Sequence, residues 1–167
     1  MTVSAKALAA VAIVSVAGWV APAFAEDPSY LVLGAGKWEI FRNVDHAAEF
    51  DVAYRPDWTW WILRPQVGMV AVTDGDYYGY VGAVAEVALT DHVILSPNVS
   101  IGGYGGHGFR LGSHIEFRSG GDLFWRFADA SRLGLGMYHI SNAGITRRNP
   151  GSESLILQYA LPLGRGA

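Results

Sequence analysis

The sequence predicts an all-β fold, an eight-stranded antiparallel transmembrane β-barrel of the outer-membrane type, and three observations predict it. The chain is 51% hydrophobic and only 16% charged, with 21 glycines, 6 tryptophans and 8 tyrosines among 167 residues. After residue 25 it contains no apolar run near the ~20 residues that a membrane-spanning helix needs. It instead alternates apolar and polar residues in eight segments, and this alternation is how a membrane barrel carries its hydrophobic content.

Residues 1–25 have the features of a cleaved signal peptide. A short region with the single cation Lys6 precedes an apolar stretch, residues 7–20, that is too short to cross about 30 Å of hydrocarbon. Ala23-Phe24-Ala25 then supplies the small-x-small pattern of a signal-peptidase site. We therefore predict export and cleavage after Ala25, which leaves residues 26–167 as one barrel domain; a buried or anchoring N-terminal helix is the alternative.

Eight segments of period two account for the barrel. Side chains at successive positions of a strand point to opposite faces, so each segment offers one apolar and one polar face. In the first segment, Lys37 and Glu39 share the polar face. The predicted strands are, in order, 31–41, 47–55, 61–69, 77–89, 93–102, 109–128, 132–142 and 153–163.

A soluble β-sandwich also alternates, and the position of the charges decides between the two folds. Six or more segments each have a nearly charge-free face, and nothing else in the chain could cover that area. Eight strands close a small barrel whose interior is filled by side chains, and closure satisfies every backbone group in lipid. The charged residues on the opposite faces are then expected to form a paired polar core: Glu49, Asp51, Arg64, Glu86, Glu116, Arg118 and Arg126.

The last two segments depart from this rule. The odd positions Leu133 to Met137 are apolar, yet the same face continues with His139 and Ser141. The apolar face of the next segment starts with the carboxylate of Glu153. Ionisable groups that face lipid are costly and tend to mark function.

These residues have the chemistry of a nucleophilic site. Positions i and i+2 of a strand are about 6.5 Å apart and point the same way, which puts the Ser141 hydroxyl within reach of His139. Glu153 arrives on the neighbouring strand, close enough to hold the other ring nitrogen. Nucleophile, base and orienting acid are those of a serine acyl transferase or hydrolase. Asn142 and Gly144 follow directly and offer amide donors for an oxyanion.

The segment Tyr138-His139-Ile140-Ser141-Asn142-Ala143-Gly144, with Glu153 fourteen residues after the histidine, resembles the PagL-type lipid A 3-O-deacylases. Residues 131–136 and 116–120 are also similar to that family, and the resemblance is most specific in the last third of the chain.

The resemblance implies an eight-stranded outer-membrane barrel that hydrolyses the ester-linked 3-hydroxyacyl chain at the 3 position of lipid A. It implies Ser141 as nucleophile, His139 as base and Glu153 as orienting acid, with Asn142 and Gly144 as oxyanion donors. It implies no cofactor and no metal.

The predicted topology agrees with a lipid A substrate. With both chain ends in the periplasm, the seventh strand ends and the eighth begins on the cell-exterior side, at the level of the ester linkages of the outer leaflet. Arg147 and Arg148 lie in the intervening loop and could meet phosphates or core sugars; the alternative is a pair of solvated loop residues. The predicted partners are lipid A or lipopolysaccharide and outer-membrane lipids. The net charge of -3 gives no reason to expect nucleic acid, and the sequence leaves a homodimer open.

Two other functions remain open at this stage. The first is a non-enzymatic barrel of the structural or adhesin type, in which the His139–Ser141 pair is incidental. The second is an outer-membrane phospholipase. His46, His92 and His107 do not share a metal-site spacing with His114, which we expect inside the barrel beside Glu116.

Overall fold

A computed structural model describes residues 27–42 and 47–164, so the predicted signal peptide and His46 lie outside the described residues. Within these ranges, no helix is long and apolar enough to cross a membrane. The strands are β1 (Ser29–Trp38), β2 (Ala48–Arg55), β3 (Leu63–Val72), β4 (Tyr77–Ala85), β5 (Val87–Ala88), β6 (Val93–Gly105), β7 (Ile115–Arg126), β8 (Arg132–Ser141) and β9 (Ser152–Leu163).

The strands close into one antiparallel barrel. Apart from β4 and β5, strands that are consecutive along the chain pair with each other, β1 pairs with β9, and β4 pairs with β6. The short β5 continues β4 beyond Glu86 and also pairs with β6, so that β4 and β5 together make one of eight strands. Closure gives the backbone groups of both terminal strands a partner, as a barrel in lipid requires. The predicted eight-stranded fold is confirmed.

Charged side chains occupy the barrel interior, most of them in ion pairs. Six of the seven residues predicted for the polar core are at most 5% exposed, and the side chain of the seventh, Arg126, is 22% exposed. Arg118 contacts Asp51 at 2.8 Å, and Arg132 contacts Glu86 at 2.8 Å. Because an unpaired buried charge is very costly, these contacts are what allow charged groups to occupy the interior.

The outer wall is apolar. Large hydrophobic side chains are exposed all round the barrel, among them Phe50, Val67, Val81, Val99, Leu123, Leu135 and Leu157. The connection between β2 and β3 adds the exposed Trp58, Trp60 and Trp61 at one rim. Tryptophan is enriched where a membrane protein meets the lipid headgroups. The surface is therefore that of a lipid-embedded barrel.

Several strand ends differ from the predicted bounds, and two of them lie close to the candidate residues. β1 ends at Trp38, and Glu39 then adopts a left-handed backbone with φ 56°. As a result Lys37 is exposed whereas Glu39 is fully buried, so the two do not share a face. β7 begins at Ile115 instead of residue 109, and the preceding loop contains Gly112 at φ 104°, a conformation that ends the alternation.

Candidate active site

The outward face of β8 carries the candidate residues. Leu133, Leu135 and Met137 are 41%, 53% and 48% exposed, and they are followed on the same face by His139, whose side chain is 46% exposed. Ser141 is half-buried at the end of the strand. The inward positions Gly136, Tyr138 and Ile140 are buried, so the odd-numbered residues of β8 face outward in the structure, as predicted.

His139 and Glu153 are direct partners in the register of β8 and β9. His139 Nδ1 lies 3.0 Å from Glu153 Oε1, and the carboxylate side chain is 24% exposed. A carboxylate acceptor at Nδ1 selects the tautomer with its proton on that nitrogen, which leaves Nε2 with a free lone pair. The ring is therefore arranged to accept a proton at Nε2.

Ser141 follows two residues after His139, and its side chain emerges on the same face. Its hydroxyl makes no hydrogen bond within residues 27–42 and 47–164, to His139 or to any other group. Catalytic hydrogen bonds are often long before substrate binds and tighten in the complex.

The loop after Ser141 is organised around Asn142. This side chain is fully buried, and its Nδ2 donates to Arg148 O at 2.8 Å and to Thr146 Oγ1 at 3.0 Å. The backbone N–H of Gly144 donates to Asn142 Oδ1 at 3.0 Å, and that of Asn142 donates to Asn149 Oδ1 at 3.0 Å. Both predicted oxyanion donors thus already have acceptors inside the loop.

Arg147 and Arg148 are exposed in the same loop. Neither guanidinium makes a hydrogen bond or an ion pair within the part of the chain that the structure describes. Arg148 lines a cavity of about 500 Å³ together with Arg110 and His114. His114 is exposed, with Nδ1 3.3 Å from Tyr104 O, so the predicted interior position of this histidine is wrong. His114 lies one residue before the start of β7, so the alternation of the strand does not determine which way its side chain points.

The segment after β1 reaches the same site, although no pattern in the sequence predicts this. The backbone N–H of Glu153 donates to Glu39 Oε1 at 3.3 Å, and that of Ile40 donates to Glu153 O at 3.0 Å. Arg42 contacts Glu39 and the carbonyls of Pro150 and Gly151. No periodic pattern predicts the contacts with Pro150, Gly151 and Glu153, because each joins residues that are more than a hundred positions apart.

Within residues 27–42 and 47–164, no group of three or more His, Cys, Asp or Glu side chains could hold a metal ion. The groups that the geometry does bring together are an imidazole, a carboxylate and a nearby hydroxyl, on a surface that faces lipid. Such a set can transfer a proton from the hydroxyl and make it a nucleophile toward an acyl carbon.

Known structures share the fold. The crystal structure of the outer membrane enzyme PagL is 20% identical, covers 80% of this chain and 99% of its own, and has a TM-score of 0.63. A de novo designed transmembrane β-barrel is 13% identical over 81% of this chain and 94% of its own, with a TM-score of 0.53. The backbone structure of the Yersinia pestis outer membrane protein Ail, in a nanodisc, is 12% identical over 81% of this chain and all of its own, with a TM-score of 0.51.

The family comparison goes beyond the fold. No curated protein sequence matches the chain. The family model of lipid A 3-O-deacylase (PagL), however, matches residues 43–162, which include nearly the whole barrel and all three candidate catalytic residues. The chain therefore belongs to the PagL family of lipid A 3-O-deacylases.

Proposed function

We propose that this protein is an outer-membrane lipid A 3-O-deacylase that hydrolyses the ester-linked 3-hydroxyacyl chain at the 3 position of lipid A. Ser141 is the nucleophile, His139 the general base and Glu153 the orienting acid. The observation that carries the proposal is the 3.0 Å contact between His139 Nδ1 and Glu153 Oε1 on the outer wall, with Ser141 two residues further along that wall. Packing of the barrel core does not explain an acid–imidazole pair there, since the core lies on the other face.

The location of the site suits a substrate that never leaves the membrane. Lipid A can approach sideways through the outer leaflet, with its acyl chains along the exposed Leu135, Met137 and Leu157. The ester then lies at the end of β8, where the apolar wall gives way to His139 and Ser141. The export signal at residues 1–25 belongs to the same proposal, because only an exported chain reaches the outer membrane.

The reaction follows the serine-hydrolase pattern. Ser141 Oγ attacks the ester carbonyl carbon while His139 Nε2 takes the hydroxyl proton, and Glu153 stabilises the imidazolium that results. When the tetrahedral intermediate collapses, the bond to the sugar oxygen breaks and His139 returns the proton to that oxygen. Water, deprotonated by His139, then attacks the acyl-enzyme, releasing the 3-hydroxy fatty acid and the Ser141 hydroxyl.

Asn142 and Gly144 are the proposed oxyanion donors. Their amide N–H groups point at Asn149 Oδ1 and Asn142 Oδ1 in the structure, so the oxyanion must replace these neutral acceptors. Such an exchange is favourable where charge develops, since a hydrogen bond to an anion is about twice as strong as a neutral one. Arg147 and Arg148, exposed beside them, are proposed to contact the phosphates or core sugars.

The test is mass spectrometry of lipid A from cells with and without the protein. We expect loss of one 3-hydroxyacyl chain from the 3 position, and release of the same fatty acid from lipopolysaccharide by purified protein in a chelating buffer. Ser141→Ala should abolish both. Ser119→Ala is the matched control, because Ser119 is exposed on the same wall and is the register partner of His139 on β7.

Three results would contradict the proposal. Unchanged lipid A would favour a non-enzymatic barrel, and a requirement for calcium with glycerophospholipid as substrate would favour a phospholipase. Loss of activity in Ser119→Ala, with Ser141→Ala active, would assign the nucleophile to β7.

A further inference from the structure

We infer that Glu39 and Arg42, in the connection after β1, are positioning residues that hold Glu153 and Gly151 against two sides of the His139 imidazole. The inference rests on the proposed triad, in which the orientation of that ring decides the rate. We call Glu39 and Arg42 the clamp.

The first part of the clamp fixes the backbone of Glu153. Its N–H donates to Glu39 Oε1 at 3.3 Å, and its carbonyl accepts from the backbone N–H of Ile40 at 3.0 Å. Both hydrogen-bonding groups of this residue are therefore bound to one short segment, outside the regular pairing of β9 with β1, which begins at Ser154. The carboxylate that contacts His139 projects from a peptide that cannot shift without breaking these bonds.

The second part fixes the residues just before Glu153. Arg42 Nη2 donates to Pro150 O at 2.8 Å and to Gly151 O at 2.5 Å, while its Nε contacts Glu39 Oε2 at 3.0 Å. The Arg42 guanidinium also lies over the Phe109 ring, 4.9 Å from its centroid. A planar guanidinium can make all these contacts at once, whereas a lysine ammonium cannot.

Gly151 is in turn packed against the imidazole. A Cβ at this position would lie 2.7 Å from His139 Cε1, closer than real Cβ contacts come, and its φ is +67°. The ring therefore has the Gly151 backbone at its Cε1 edge and the Glu153 carboxylate at Nδ1. Gly151 and Glu153 belong to one short stretch of chain, and the clamp forms hydrogen bonds with both ends of this stretch.

Glu39 itself is held in an unusual conformation. It is fully buried and adopts φ 56°, a region that side chains other than glycine, asparagine and aspartate seldom occupy. Such conformations persist only where the surroundings enforce them, and they concentrate at functional sites. A surface connection that served only to join β1 to β2 would not need a buried, strained carboxylate.

The first experiment compares Arg42→Gln with Arg110→Gln in purified, folded protein. Arg110 is the matched control, because it is an exposed loop arginine with no hydrogen bond or ion pair among the described residues. We expect Arg42→Gln to lower kcat on the order of 10- to 100-fold, as an ångström-scale displacement of a catalytic group does, with little change in KM. Arg42→Lys should show most of the same decrease in kcat, whereas Arg110→Gln should keep the wild-type kcat.

The second experiment asks whether the clamp acts through the triad. In a Glu153→Gln background, the loss caused by Arg42→Gln should become much smaller, since the contact that the clamp positions is already weakened. An equal loss in both backgrounds would show a general effect on the barrel and would overturn the inference. Glu39→Gln, which keeps the shape of the side chain, replaces Arg42→Gln in this cycle should the latter fail the heat-modifiable gel shift that reports folding.

The third experiment does not depend on activity. In detergent micelles, the downfield proton resonance of His139 Nδ1–H reports its hydrogen bond to Glu153. We expect this resonance to broaden or disappear in Arg42→Gln and to stay unchanged in Arg110→Gln. A sharp, unshifted resonance in Arg42→Gln overturns the clamp even if the protein is a deacylase. The expected loss of the resonance in a protein that hydrolyses no lipid A would support the clamp and overturn the proposed function.

Discussion

His139 and Glu153 face each other across β8 and β9, with Nδ1 and Oε1 3.0 Å apart, on the side of the barrel that faces lipid. The neighbours of this pair along the two strands, Met137 and Leu155, are 48% and 44% exposed. A carboxylate hydrogen-bonded to an imidazole between apolar side chains at a lipid surface is costly to maintain. Its presence is the strongest support for the proposed catalytic site on the wall of this barrel.

Ser141→Ala and His139→Ala should each abolish hydrolysis while the barrel still folds. Neither side chain contributes to the packed interior, so folding does not depend on them. Because members of a triad act as a unit, we expect each loss to reach at least ~10³-fold. An esterase assay measures activity and a heat-modifiable gel shift reports folding. Near-wild-type turnover in either variant would rule out the triad.

Glu153→Gln should be the milder change. The amide oxygen can still accept a hydrogen bond from His139 Nδ1, but the charge that stabilises the imidazolium is lost. We expect turnover between that of the wild type and that of His139→Ala, measured in the same assay. If Glu153→Gln is fully active, a different carboxylate orients the ring or none is needed.

Gly151→Ala should reduce activity far more than it reduces stability. The added methyl group would meet His139 Cε1 at 2.7 Å, so the ring must leave its contact with Glu153. Gly164→Ala is the control, because Gly164 also has a positive φ, of 82°, but has nothing within 4 Å of the added methyl group. Comparing the two by turnover and by urea unfolding separates the steric effect from backbone strain. Equal turnover in the two variants would show that the close contact is unimportant.

A charge on the lipid-facing wall should impair insertion or substrate binding. Leu157 is 56% exposed and pairs with Leu135 across β8 and β9. Leu157→Arg should cost about 2–4 kcal/mol in folding free energy near the membrane midplane. Met137→Arg, one pair closer to His139, should also impair acyl binding and raise KM. Leu157→Met is the control, and unchanged folding and KM in both arginine variants would mean that this wall does not face lipid.

The interior charge network should decide the stability of the barrel. Arg118 is 3% exposed and contacts Asp51 at 2.8 Å and Glu49 at 3.7 Å. Its replacement leaves buried carboxylates without their partner, which costs about 3–5 kcal/mol in such pairs. Urea unfolding in lipid vesicles, followed by tryptophan fluorescence, measures the loss for Arg118→Ala. Arg147→Ala, a change at an exposed residue, should leave the unfolding midpoint where it is.

The alternation of apolar and polar residues in the sequence predicts most of the fold. Because its period is two, it assigns a face to each residue of a strand, and the outward phase of Leu135 and His139 follows from it. It carries no information where a strand ends in an irregular conformation. The left-handed backbone of Glu39 and the early end of β1 were missed for this reason.

Some residues of the candidate site could likewise be predicted from the sequence, and others could not. His139, Ser141 and Glu153 could be predicted together because two neighbouring strands and a short loop bring them into one region. Glu39 reaches Glu153 from 114 residues away, through barrel closure between the first and last strands. A local pattern contains nothing that identifies which side chain on the far strand will meet which peptide.

The filled interior has a consequence for the permeability of the membrane that holds this barrel. An eight-stranded lumen is only wide enough for side chains, and Arg118 and Arg132 occupy it together with their acidic partners. Because side chains fill the interior of the described barrel, solutes have no route through it, in contrast to a porin. In the proposed mechanism, hydrolytic water therefore comes from the rim at which β8 ends, and the released fatty acid departs laterally among the lipids. A cell can thus make the enzyme in many copies without making its outer membrane leaky.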